Sequence, residues 1–68
     1  MPLWTDSARL AFERHLETTR PGVIASGADP DEVAADLRRH LDAEMAAAGI
    51  ETVTGADVAR LLARIAPG

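Results

Sequence analysis

Apolar residues recur along this chain at helical spacing in three separate runs, each introduced by capping residues and closed by glycine or proline. In the first run Ala8, Ala11, Phe12, Leu16 and Thr19 fall on one face at intervals of three and four, as a helix burying a single stripe requires. Thr5, Asp6 and Ser7 each offer a side-chain oxygen to the free amides at its start, so any of the three suits the cap. Pro21-Gly22 interrupts the run, because proline lacks an amide donor and its ring crowds the preceding turn. Val23 nevertheless stays in phase with Phe12, Leu16 and Thr19. The favoured reading is a helix over about 6–26 that kinks at Pro21 and continues. The rival is a break near Thr19, with a short turn that starts on Pro21.

The second run has the fullest set of boundary signals. Asp29 caps, Pro30 fits the first helical position, Asp31 favours the helix dipole, and Glu32 can reach back as in a capping box. Its stripe is Val33, Ala34, Leu37, Leu41, Met45 and Ala48, which predicts a helix over about 30–48 flanked by an Arg38–Asp42 pair one turn apart. Gly49-Ile50 then reads as a Schellman stop, with Ile50 folding back onto Met45. Thr54 and Asp57 open the third helix, expected over about 55–66, with Val53 stapled against Val58 and a stripe of Val58, Leu61, Leu62 and Ile65. No strand-like alternation, internal repeat or low-complexity tract is visible. The expected fold is an all-α, three-helix unit forming one domain over residues 1–68.

Composition limits what such a unit can be. At 68 residues, with 47% hydrophobic residues of which many are alanine, and only Trp4 and Phe12 aromatic, the core is thin. Cysteine is absent, so disulfides and thiolate metal sites contribute nothing, and lysine is absent, so every fixed side-chain cation is an arginine. The net charge of -4 argues against nucleic-acid binding. Direct membrane insertion is not expected either, since no run approaches the roughly 20 apolar residues a spanning helix needs. A cytoplasmic location is the expectation.

Little chemistry remains once caps and turns are assigned. His15, His40 and Glu44 border apolar stripes, and His40 with Glu44, one turn apart, forms a candidate structural polar pair. One such pair supplies two of the three or four ligands that zinc requires, and no His-x-x-x-His spacing adds to it. No metal, cofactor or catalytic residue is therefore assigned, and the glycines are dispersed helix punctuation without the shape of a phosphate loop. Three apolar residues fall outside the stripes: Trp4, Leu10 and Ile24. They form the candidate interaction surface, with a neighbouring domain or a second copy of the chain as the partner. For Trp4 a role as a lid over the core is the alternative.

The run from Asp31 to Leu41 (Asp31-Glu32-Val33-Ala34-Ala35-Asp36-Leu37-Arg38-Arg39-His40-Leu41) resembles the acidic-aliphatic, Leu-x-x-His-aliphatic helix of the HAAS or permease-prefix modules. The run from Val53 to Ile65 is similar to that family's closing helix. Together they span a little over half of the chain. The resemblance implies a non-catalytic interaction or regulatory module at the N-terminus of a bacterial signalling or membrane protein, in which His40 matches a recurrent histidine. The alternative is a self-associating module resembling a histone-like handshake dimer that does not bind DNA.

Overall fold

A computed structural model describes residues 2–65, and they form three helices and one short strand pair. Helix α1 spans Asp6–Ala25, α2 Pro30–Ala47 and α3 Gly55–Ile65, with strands β1 (Leu3–Trp4) and β2 (Thr52–Val53) placed before α1 and α3. The all-α, three-helix unit expected from the sequence is what forms. Helix α1 passes through Pro21 as a single element, so the favoured reading holds and the separate turn does not form. The expected stop of α3 before Pro67 lies outside the described residues.

The helix boundaries follow from local chemistry. Thr5 caps α1, its hydroxyl accepting from the Ala8 amide at 3.3 Å. Asp29 caps α2 through the Asp31 amide, with Pro30 just inside the helix. Both long helices end in the same way, on glycines at positive φ. The Ala28 amide reaches back to Val23 and the Gly27 amide to Ile24, while the Ile50 amide reaches Met45 and the Gly49 amide Ala46. These are paired Schellman bonds, and they satisfy carbonyls that a helix end otherwise leaves free. At α3 the Thr54 amide and hydroxyl both bond the Asp57 carboxylate, while the Asp57 amide returns to the Thr54 hydroxyl. This is the reciprocal box expected there. It holds the Asp57 pKa below its usual value: the Thr54 amide bond is the largest cause, the Thr54 hydroxyl next, with Arg60 adding to them against desolvation.

The strand pair was not expected. β1 and β2 run parallel, with Leu3 opposite Thr52 and Trp4 opposite Val53. The Leu3 and Thr5 amides donate to the Glu51 and Val53 carbonyls at 2.7 and 3.1 Å. Each strand turns one residue out and one in: Leu3 and Thr52 are exposed, whereas Trp4 and Val53 are buried. Two residues are too few to leave a periodic signal, yet the pair fixes both ends of the chain's 47-residue excursion from Thr5 to Glu51.

A polar relay reinforces that junction. The Gly55 amide donates to the Ser7 hydroxyl, Ser7 and Thr5 hydroxyls are 3.1 Å apart, and Thr5 donates on to the Val53 carbonyl at 2.7 Å. Bonds linked in this way polarise one another. The approach is tight, since a Cβ on Gly55 would lie 3.0 Å from the Ser7 carbonyl oxygen.

The core gathers at this end of the molecule. It consists of Trp4, Ala8, Phe12, Leu41, Met45, Val53, Val58, Leu61 and Leu62. Val53 and Val58, the expected staple, are both fully buried. Burial of each large aliphatic side chain is worth about 1.5–3 kcal/mol against exposure, so this one cluster carries most of the hydrophobic stabilisation.

Candidate interaction surface

The residues singled out in the sequence do not converge on one site. His40 Nε2 lies 3.9 Å from Glu44 Oε1 with both side chains about half exposed, too far for a hydrogen bond. The pair borders a shallow depression with Leu61, Arg64 and Ile65, whereas His15 borders a different one with Ala11, Ala59, Leu62 and Ala63. Among the described residues no group of three His, Cys, Asp or Glu side chains is close enough to hold a metal ion. No described helix is long and apolar enough to cross a membrane.

Trp4 does not share a surface with Leu10 and Ile24. It is only 6% exposed, packed edge-on against Phe12 with ring centroids 5.7 Å apart. The β1–β2 pairing carries it inward, so of the three candidates it leaves the exposed set and joins the core, as the lid reading had it. Its indole N–H donates to Asp42 Oδ1 at 2.7 Å, and the Arg38 guanidinium stacks 3.8 Å from its ring centroid. Arg38 Nε sits 3.4 Å from Asp42 Oδ2 and makes no hydrogen bond, though buried. The contact is close enough for Coulombic attraction but not aligned as a bond. Trp4, Arg38 and Asp42 thus lock the chain start onto α2. The expected Arg38–Asp42 pair is present, with a ring between it and the core that the sequence did not signal.

The exposed apolar surface lies elsewhere, and helix length explains it. At 1.5 Å per residue α3 is about 16 Å long, against about 30 Å for α1 and 27 Å for α2. It starts beside Ser7 and shares a depression with Ala11 and His15 of α1. Past the described length of α3, the α1–α2 hairpin projects without a third helix among the described residues, and the molecule has a long dimension of 35 Å against 20 and 19 Å. No residue from Glu13 to His40 is buried. Leu16, Val23, Val33 and Leu37, which the sequence pattern assigns to buried stripes, are only half-buried. The mismatch between an 11-residue third helix and partners of 20 and 18 residues was the available signal.

Between the two helices at this open end runs a groove lined by Leu16, Thr19, Val23, Pro30, Val33 and Ala34, with Glu17, Arg20 and Asp31 on its rim. Its volume of about 110 Å³ is well below the few hundred that a small-molecule site occupies. Leu10 and Ile24, 49% and 54% exposed, lie within about 40° of each other on the outer flank of α1 at 100° per residue. Glu13 and Glu17 share that flank. Leu3, the most exposed large apolar residue at 70%, stands on the outer face of the strand pair at the opposite end, and nothing in the sequence marked it.

Comparison with known families, curated proteins and solved structures finds no match to this chain.

Proposed function

We propose that this chain is a non-catalytic protein-interaction or regulatory module, acting through the open end of its α1–α2 hairpin. One observation carries the reading: among the described residues, apolar side chains of the α1–α2 hairpin such as Val23 and Val33 are left half-buried with no third helix against them. Polar residues with alternative chemistry are occupied structurally, as Thr5, Ser7, Asp29, Thr54 and Asp57 serve caps and Asp42 serves Trp4. The likeness of the Asp31–Leu41 and Val53–Ile65 runs to HAAS or permease-prefix modules agrees with this role, and on that likeness we propose a position at the N-terminus of a signalling or membrane protein.

A photo-crosslinking amino acid at Val23, compared with one at Glu51, tests the proposal in the native cell. Discrete protein adducts from Val23, absent from Glu51, are expected. Equal labelling from both positions, or none from Val23, contradicts it. The handshake-dimer alternative predicts that the Val23 adduct is twice the mass of the chain itself.

A further inference from the structure

Helices α1 and α2 close on the same kind of glycine cap, and they differ in what precedes it. Pro21 has no amide to donate to the Glu17 carbonyl four residues back, and its ring crowds that turn. Just ahead of it the Thr18 and Thr19 hydroxyls donate to the Arg14 and His15 carbonyls, both at 3.0 Å, a bond that slightly destabilises a helix and bends it. Just behind it Gly22 has nothing within 4 Å of where a Cβ would stand, so no packing offsets its backbone freedom. No residue from Thr18 to Gly22 is buried. The equivalent stretch of α2, His40 to Glu44, contains no threonine, proline or glycine and buries Leu41 completely.

The two sides of this weak stretch are held differently. Upstream, α1 is anchored in the core by Ala8 and Phe12. Downstream, the chain is held by bonds to itself: the Ser26 amide and hydroxyl donate to the Gly22 and Val23 carbonyls, while the Gly27 and Ala28 amides return to Ile24 and Val23. Of Val23 to Ala28 only Val23 is even half-buried. We infer that Thr18 to Gly22 form a hinge in α1, about which the Val23–Ala28 cap swings as one body and sets the width of the groove between Val23 and Val33. As regulation of a docking surface this rests on the interaction reading above, whereas the motion itself needs no partner.

Double electron–electron resonance on the full chain in frozen solution tests the hinge, and the absence of native cysteine leaves only introduced labels to report. Labels at Leu10→Cys and Ile24→Cys span the weak stretch, while labels at Glu32→Cys and Ala46→Cys span the same number of residues along α2, about 21 Å of helix axis. All four positions are exposed, and each pair ends one residue before its helix does, so fraying of the end affects both alike. The α1 pair is expected to give a distance distribution about twice as broad as the α2 pair. Pro21→Ala with Gly22→Ala, which raises helix propensity at both positions, should narrow it to the α2 width. A narrow α1 distribution in the wild type, or a broad one that survives both substitutions, overturns the inference. The Val23 crosslink judges the interaction reading separately: a narrow distribution with Val23 adducts removes the hinge and leaves the module, and a broad one without adducts does the reverse.

Discussion

The two ends of this molecule are built from similar helices and differ in almost every physical respect. At the strand-pair end three helices meet, every core residue is buried, and a tryptophan is clamped between a phenylalanine, an arginine and an aspartate. At the turn end two helices run on alone among the described residues, and apolar residues stay half-exposed. Stability is concentrated at the strand-pair end, and the surface we propose for a partner lies where folding demands least. A small domain can divide labour in this way because one compact cluster suffices to hold its helices.

The largest test of that contrast is truncation of a buried side chain. Trp4→Ala removes the edge-on ring, strands the Asp42 acceptor and unstacks Arg38, at a cost of about 3–5 kcal/mol. A core of this size supplies only about that much net stability, so the variant should be largely unfolded by circular dichroism at room temperature. Val23→Ala, at the open end, should change the unfolding free energy by less than about 1 kcal/mol. A Val23 effect as large as that of Trp4 would break the comparison.

Glycine substitutions should move stability in opposite directions. Gly55→Ala forces a methyl group to within 3.0 Å of the Ser7 carbonyl oxygen, and parting α1 from α3 costs about 1–3 kcal/mol in urea unfolding. Gly22→Ala meets nothing within 4 Å and lies inside α1. It should therefore stabilise by about 0.5–1 kcal/mol through helix propensity alone. Destabilisation by Gly22→Ala would mean that the hairpin end is packed against something after all.

The smallest effect concerns pH. The folded-state pKa of Asp57 lies below its usual value, so the Thr54–Asp57 box adds stability above the ordinary carboxylate range near 3.9 and loses it as pH falls through the lower folded value. Urea midpoints of the wild type should fall between about pH 4 and pH 2 by more than those of Asp57→Asn. Identical pH profiles would remove the box from the account.

Much of the fold was legible because helix ends are written in local residue types. Asp29-Pro30, Gly49-Ile50 and Thr54-Gly55-Ala56-Asp57 act within one turn of themselves, and each forms the structure its chemistry demands. The strand pair was illegible because Leu3-Trp4 and Thr52-Val53 meet only after the helices have packed, and two residues show no period. That hidden pairing is also why Trp4, outside every helical stripe, groups with Leu10 and Ile24 by sequence although it belongs to the core. The open groove was misjudged for a related reason. Periodicity identifies the face of Val23, Val33 and Leu37 that turns inward, but whether a third helix reaches them depends on tertiary arrangement.

Native-state hydrogen exchange tests the division between the ends most directly. Amides of Leu41 to Ala47 and of Phe12 should exchange only through global unfolding, with free energies equal to that from denaturant melts. Amides of Gly22 to Ala25 and of Leu37 should exchange through local opening, at least about tenfold faster. Uniform protection along α1 and α2 would contradict the account, because the hairpin end would then be as firmly held as the core.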